Sequence, residues 1–271
     1  MSVPDLESTP DQDVLDFERD GAFVLRAVLD SHWIEAMRQG IEIALSDPGA
    51  TFQERAASNQ GRFHNGFFHW TRNTYFRDFL FNSPLAEVAA RFMRARQVNL
   101  FYDQLFVKEP KTPVETPWHS DKTYFPIVGG KLISIWVPFD AVSSANGAVS
   151  FIQGSHRWPD LNERMAEIAE HGLESGHYPR LTWNLEPCDL LLFDLGTIHG
   201  SVGNQSRSRR RALSTRWVDE GACYGPFTDD LFALLRRHSP NTPTIDIEVG
   251  KPFDSCLFPR VWPRKTEREA K

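Results

Sequence analysis

The sequence predicts a mainly β fold, a sandwich or a barrel, with helices packed on one side. Helix patterns with caps and terminating glycines occupy the first third of the chain, up to about residue 95. From residue 97 onward they give way to short runs rich in β-branched and aromatic residues. Glycine-containing turns separate these runs, and this order of helices and short strands favours that fold class.

Three helices are predicted before residue 95. The first covers residues 11–20, and the second starts at Asp30 and carries apolar side chains at helical spacing. The third starts at Ser83-Pro84, because serine caps helices and proline suits the first turn. A short apolar strand at 22–28 separates the first two helices. Residues 50–75 are aromatic and are predicted to be irregular.

The remainder of the chain is predicted to form the β core. Turn residues such as Gly129-Gly130 and Asn146-Gly147 separate its strands. Two helices are predicted within or after this region, near 160–171 and 228–237. The predicted strands are 98–108, 132–139, 148–152, 190–194 and 212–218.

No linker or repeat divides the 271 residues, so a single domain 1–271 is predicted. Its helical part covers about 11–95 and its β core about 97–220. The net charge of −6 argues against broad binding to nucleic acid or to an anionic membrane. The three cysteines form no CxxC pair, and no long apolar run occurs. We therefore expect a cytoplasmic protein with a small-molecule partner; the sequence does not indicate an oligomeric state.

One HxD triplet suggests a metal site. His119 and Asp121 are two residues apart, and on a strand such residues point to the same side. His199 follows an apolar strand and precedes a glycine, which places it at a strand end. Two histidines and one carboxylate form the facial triad of non-haem iron(II) oxygenases, which leaves positions open for 2-oxoglutarate and O2. The alternative is that the triplet arises by chance and these histidines only pack.

An arginine near the triad suggests a cosubstrate anchor. Arg210 lies 11 residues after His199, where a returning strand would re-enter the site. A planar guanidinium suits the far carboxylate of 2-oxoglutarate, and Ser201 could add a hydroxyl bond. Arg211 is the rival, since adjacent residues on a strand point to opposite faces.

Several motifs together are similar to the phytanoyl-CoA dioxygenase family. They are DGAFVLRAVLD at 20–30, WHSD at 118–121, IWVPFD at 135–140, NGAVSFIQGSHRW at 146–158 and HGSVGNQSRSRRRAL at 199–213. The resemblance covers most of residues 12–220. It implies a double-stranded β-helix, which is the jelly roll of cupin-like proteins, and it implies iron(II), 2-oxoglutarate and O2 as cofactors.

The resemblance also implies roles for individual residues. The implied metal ligands are His119, Asp121 and His199. The implied 2-oxoglutarate-binding residues are Arg210, Ser201, Trp136 and Thr116, and Gln104 or Leu105 lines the same pocket. Polar residues that could contact substrate are Lys108, Lys122, Tyr124 and Arg72. His64 and His69 lie either in an aromatic flap over the substrate or in a connection packed on the sheet.

The implied reaction is hydroxylation of an unactivated C–H bond of a small apolar substrate or secondary metabolite. In this reaction 2-oxoglutarate becomes succinate and CO2. Asp121 favours hydroxylation, because halogenating relatives lack the carboxylate. Desaturation, ring formation and epimerisation share the first steps and stay open. A metal-binding jelly-roll protein without oxygenase activity is the alternative of another class. A zinc hydrolase is a poorer fit, because Glu115 lies outside the presumed site.

Overall fold

Two antiparallel sheets form the two walls of the fold in a computed structural model of the chain. The structure describes residues 11–47, 49, 52–56, 61–171, 178–226, 243–245 and 247–264. The predicted helix at 228–237 and both chain ends lie outside the described residues.

Of the predicted helix starts, only the first is closed by a side-chain cap. Asp30 precedes the second helix without a capping hydrogen bond, and Pro84, not Ser83, is the N-cap residue of the helix predicted at Ser83-Pro84. The Asp11 side chain accepts a hydrogen bond from the Asp13 N–H at the start of the first helix, and Gly21 ends that helix with φ of 78°. None of the helices in the described part of the chain is long and apolar enough to cross a bilayer. The helices are α1 Gln12–Asp20, α2 Ser31–Ser46, α3 Thr74–Asn82, α4 Leu85–Met93 and α5 Leu161–His171.

The strands are short, and most are flanked by turns. The first seven are β1 Ala22–Leu25, β2 Phe52–Ala56, β3 Arg62–Phe67, β4 Val98–Lys108, β5 Thr116–His119, β6 Ile127–Val128 and β7 Leu132–Pro138. The others are β8 Val149–Ile152, β9 Arg180–Thr182, β10 Leu190–Asp194, β11 His199–Ser201, β12 Arg210–Asp219, β13 Cys223–Tyr224 and β14 Arg260–Trp262.

The large sheet has the strand order β1-β10-β7-β12-β4-β3-β2, and β14 also pairs with β4. The small sheet has the order β5-β11-β8-β9, and β6 pairs with β13. One cavity is lined by side chains of both sheets, so the sheets face each other. This arrangement is a jelly roll, and it confirms the predicted fold class.

The central strand β12 separates the helical core from the interior of the jelly roll. Leu213 and Trp217 are buried in the cluster that α2, α3 and α4 form on the outer face of the large sheet. Ala212 belongs to the cluster between the sheets, and Ser214 and Arg216 line the cavity. Side-chain alternation along one strand therefore assigns each residue to the core or to the cavity.

The prediction that residues 50–75 are irregular is wrong. They include β2, β3 and the start of α3. The residues of β3 read RFHNGF, and an Asn-Gly pair has low strand propensity. Five registered residue pairs with β4 stabilise this strand through tertiary contacts that its own sequence does not reveal.

Candidate metal centre and cosubstrate cavity

The three predicted metal ligands converge on one point. His119 ends β5, His199 begins β11, and the two residues are directly opposite each other in the ladder. Their ring centroids are 4.2 Å apart. One possible ligand atom from each of His119, Asp121 and His199 lies within 4.8 Å of the others.

Asp121 reaches this point by a different route from the one predicted. We expected His119 and Asp121 to share one strand, but β5 ends at His119 and Asp121 opens a 3-10 turn over Asp121–Thr123. The turn leaves Asp121 Oδ1 3.6 Å from His119 Nε2. The convergence comes from the turn and not from strand alternation.

Backbone carbonyls orient both imidazoles. His119 Nδ1 lies 2.8 Å from the Pro117 carbonyl oxygen, and His199 Nδ1 lies 2.9 Å from the Thr197 carbonyl oxygen. A carbonyl oxygen only accepts, so each Nδ1 carries the hydrogen and each Nε2 keeps a free lone pair. Burial, followed by the nearby His119, lowers the pKa of His199 to about 3, so His199 is neutral and able to bind a metal at neutral pH.

The Asp121 carboxylate is fully buried and charged. Tyr124 donates its hydroxyl hydrogen to Asp121 Oδ1, and Arg216 Nε lies 3.5 Å from Asp121 Oδ2. Burial alone would raise the pKa of Asp121, but Arg216 and then His119 outweigh it and hold that pKa well below its usual range. A buried carboxylate with two imidazole nitrogens is a donor set that fits iron(II).

A cavity of about 380 Å³ extends from the triad between the two sheets. All four residues predicted to bind 2-oxoglutarate line it, as do His119 and His199. Gln104 also lines it, whereas Leu105 is buried in the helical core. The predicted residues are thus brought together; their role in binding 2-oxoglutarate stays a prediction. They are Thr116, Trp136, Ser201 and Arg210.

Arg210 is a buried cation at the cavity wall. It is 2% exposed, and its guanidinium lies 5.4 Å from the centre of the Trp136 ring. Its Nη2 donates to the Gly147 carbonyl oxygen at 3.1 Å. Burial lowers the pKa of Arg210 to about 10, so it keeps its charge at neutral pH. Among the described residues no carboxylate forms an ion pair with it.

The neighbouring arginines face elsewhere. Arg211 Nη2 lies 2.7 Å from Asp140 Oδ1, and its Nη1 lies 3.1 Å from Glu42 Oε1. Arg209 pairs with Glu42 and Glu109. Of these three arginines, only Arg210 lines the cavity.

The proposed substrate-contact residues divide into two groups. Lys108 and Tyr124 line the cavity, whereas Lys122 is exposed and Arg72 pairs with Asp47 at the surface. Sequence reasoning missed Arg216, which lines the cavity and contacts Asp121. The sequence indicates Arg216 only through its spacing. It lies an even number of positions after Arg210, so both side chains lie on the same face of β12.

The two histidines of the 50–75 segment pack and do not cover the cavity. His64 is on the face of β3 that points away from the cavity. Its ring lies 3.2 Å from Glu54 and 3.7 Å from Glu109. His69 is 2% exposed, and its ring packs 5.0 Å from that of Phe76. The residues of β3 that line the cavity are Phe63 and Asn65.

The chain is thus a jelly roll in which a His-Asp-His cluster that could hold a metal ion lies beside a buried arginine, and this arginine forms no ion pair within the described residues. The sequence profile of phytanoyl-CoA dioxygenase (PhyH) matches residues 17–212. The chain therefore belongs to the phytanoyl-CoA dioxygenase family.

Individual relatives agree with this assignment. A probable phytanoyl-CoA dioxygenase of Caenorhabditis elegans is 28% identical over 154 residues, which are 48% of this chain and 49% of the relative. The chain spans about half the length of the first curated relatives that it matches.

Two solved structures share the fold over nearly their whole length. The non-heme alpha-ketoglutarate-dependent carbocyclase SnoK of nogalamycin biosynthesis has a TM-score of 0.77 at 22% identity, covering 94% of this chain and 97% of SnoK. The epimerase SnoN of the same biosynthesis has a TM-score of 0.78 at 21% identity, with the same coverage.

Proposed function

We propose that this protein is an iron(II)- and 2-oxoglutarate-dependent oxygenase that oxidises an unactivated C–H bond of a small molecule. The observation that carries the proposal is one cavity with two functional ends. Two imidazoles and a buried carboxylate converge at one end, and Arg210, which has no carboxylate partner among the described residues, lines the same cavity. Membership of the phytanoyl-CoA dioxygenase family and the names of the relatives described above support the proposal.

The residues fit both groups. His119, Asp121 and His199 would hold iron(II) and leave three of six positions free. Arg210 would hold the far carboxylate of 2-oxoglutarate, with Ser201 and Thr116 as hydroxyl partners and Trp136 against the chain of the keto acid. When bound, iron(II) supplies oxygen activation coupled to conversion of 2-oxoglutarate into succinate and CO2.

The chain itself orients the reactants and keeps water out. The Tyr124 hydroxyl and the Arg216 guanidinium lie against different oxygens of Asp121 and hold its carboxylate next to His119 and His199. Phe63, Phe106 and Phe193 line the cavity and limit its water content. A dry site protects a reactive oxidant from side reactions, and it strengthens the charge interactions of Arg210.

The proposed substrate is a small secondary metabolite, and the proposed outcome is hydroxylation. A cavity of about 380 Å³ suits a small molecule that shares the space with 2-oxoglutarate. Ring formation and epimerisation are the second candidates, because SnoK and SnoN are described as a carbocyclase and an epimerase. The three cysteines are free, which supports the proposed cytoplasmic location.

A substrate screen tests the proposal. The protein is loaded with iron(II) and 2-oxoglutarate without oxygen, exposed to oxygen with each compound, and assayed for succinate. Product mass distinguishes the outcomes: hydroxylation adds one oxygen, ring closure or desaturation removes two hydrogens, and epimerisation changes nothing. His199→Ala is the control and should release no succinate. If the wild-type protein binds iron(II) but neither binds 2-oxoglutarate nor releases succinate, a metal-binding protein without oxygenase activity becomes the better description.

A further inference from the structure

A second buried basic side chain lies next to Arg210, and the proposed function assigns it no role. Lys108 ends β4 and is opposite Arg210 in the ladder between β4 and β12. It is 1% exposed and lines the same cavity. Lys108 Nζ donates to Ser201 Oγ at 2.9 Å and to the Val202 carbonyl oxygen at 2.5 Å.

The charges around Lys108 are unbalanced. Arg210 faces it from β12, and Glu115, from the segment before β5, is the only carboxylate that acts on it appreciably among the described residues. Glu115 is exposed and forms no ion pair with it within the described part of the chain. Burial, followed by Arg210, lowers the pKa of Lys108 to about 6. A charge on Lys108 next to the buried Arg210 is therefore unfavourable unless an anion joins the two side chains.

Ser201 links Lys108 and Arg210 to the cavity in which a ligand would bind. Its hydroxyl oxygen accepts a hydrogen bond from Lys108 Nζ, so the hydroxyl hydrogen is free to donate to another acceptor. Ser201 lines the cavity together with Arg210. A carboxylate at this position would accept from the Arg210 guanidinium, from the Ser201 hydroxyl and from the third N–H of a charged Lys108, whose other two are donated to Ser201 and Val202.

We propose that Lys108 is a second anchor for the far carboxylate of 2-oxoglutarate and makes the site selective for 2-oxo acids with two carboxylates. The inference rests on the proposed function, because it takes 2-oxoglutarate as the ligand of Arg210. It also changes the expected role of Lys108, which the sequence suggested as a substrate contact. The hydrogen bond from Lys108 to Ser201 and its position opposite Arg210 in the ladder support a place at the cosubstrate end of the cavity.

Binding should therefore take up a proton. In the ligand-free site Lys108 is mostly neutral above pH 6, and a bound carboxylate favours its charged form and raises its pKa. As pH rises from 6 toward 8, the affinity for 2-oxoglutarate should fall, since more protein must acquire the proton. Calorimetry in two buffers with different heats of ionisation measures this uptake. The uptake should be smaller in Lys108→Met.

The direct test compares two cosubstrates that differ only at the far end. Manganese-loaded protein is titrated with 2-oxoglutarate and with 2-oxopentanoate, which has a methyl group in place of the far carboxylate. Lys108→Met should weaken 2-oxoglutarate binding by about ten- to hundredfold, the usual range for a hydrogen bond to a charged group. It should leave 2-oxopentanoate binding unchanged. Lys111→Met is the matched control, because Lys111 is exposed and lies outside the cavity.

A second variant tests the proposal without changing Lys108. Arg210→Ala protein keeps the lysine, so it should still prefer 2-oxoglutarate over 2-oxopentanoate by about tenfold. Loss of all preference in that variant, or unchanged 2-oxoglutarate binding in folded Lys108→Met, would overturn the proposal. If wild-type manganese-loaded protein binds neither 2-oxo acid, the proposed function itself fails, which is a different result.

Discussion

Arg210 and Arg211 are neighbours in sequence but lie on opposite faces of β12. Arg210 faces the cavity, and Arg211 pairs with Asp140 and Glu42. We predict that Arg210→Ala weakens 2-oxoglutarate binding by about ten- to hundredfold, because the far carboxylate loses a charge-assisted pair in a buried site. Arg211→Ala should leave this affinity unchanged. Anaerobic calorimetric titration of the iron(II) protein measures both, and a larger effect from Arg211 would contradict the assignment.

The buried pair of Arg216 and Asp121 connects the metal site to the stability of the fold. Asp121 is 0% exposed, so solvent does not replace its lost partner when Arg216 is removed. Arg216→Met should destabilise the metal-free protein by about 3–5 kcal/mol, the usual cost of leaving a buried charge unpaired. Adding Asp121→Asn should recover part of this loss. Urea unfolding measures the free energies, and strictly additive losses would show that the two side chains are not coupled.

The site residues that the sequence could predict belong to short motifs or lie at fixed distances along the chain. His119 and Asp121 form a triplet, and His199 and Arg210 are linked by a fixed offset that the family resemblance interprets. Arg216 carries only its alternation with Arg210 along β12 as a signal, and the neighbourhood of Lys108 carries none. Their meaning depends on which residues are opposite each other in the β4–β12 ladder, and pairing register is a tertiary property.

Elements with clean periodicity were predicted well. The strands β4 and β10 match their predicted bounds, since short runs rich in apolar and aromatic residues between turns favour strands. The strand β3 was missed, because Asn65-Gly66 indicates a turn when read locally. The turn that follows β3 is held by Asp103, whose carboxylate accepts from the His69 backbone N–H at 3.0 Å.

His69, in the turn after β3, should make the free energy of unfolding depend on pH below neutrality. Burial lowers the pKa of His69 to about 4, whereas an unfolded histidine titrates near 6.5. The unfolded state therefore binds a proton at His69 first, so the contribution of His69 to stability falls as pH drops from about 6.5 to 4, by at most about 3 kcal/mol. Burial raises the pKa of Asp103 to about 7, so Asp103 contributes with the opposite sign, equally in wild type and variant. His69→Leu should lose less stability over this range than wild type. Urea unfolding at pH 7 and pH 5 measures the difference.

The surface residue His32 is the control for this effect. His32→Leu should keep the wild-type dependence of unfolding free energy on pH. An unchanged dependence in His69→Leu would show that other buried histidines, His199 among them, account for the whole acid sensitivity.

On the scale of the whole molecule, the cavity exists only when both sheets are assembled. Under the proposed function, metal and 2-oxoglutarate bind the folded state and should raise its stability, by about 2.7 kcal/mol at a ligand concentration of one hundred times Kd. We predict that manganese alone raises the melting temperature and that 2-oxoglutarate adds a further increase only when manganese is present. Thermal melts with each ligand singly and together measure this. Equal stabilisation by 2-oxoglutarate without metal would contradict the proposed chelation.

The jelly roll as a class could be predicted from the motifs, but the strand order could not. The edge strand β1 pairs with β10, and β14 joins β4 from near the other end of the chain. Such pairings depend on long-range packing, and the local pattern of 22–25 only indicates an apolar strand.

The residues that line the proposed carboxylate site are far apart along the chain, and this separation should slow folding. Lys108 and Ser201 are 93 residues apart, and the bond from Thr197 to the Gly21 carbonyl spans 176 residues. Closing such loops costs entropy before any contact repays it, so chains rich in distant contacts fold slowly. On a ribosome, no partial chain that ends before β12 can form the binding site. The nascent protein must therefore keep the interior faces of β4 and β7 from aggregating until the last central strand has emerged.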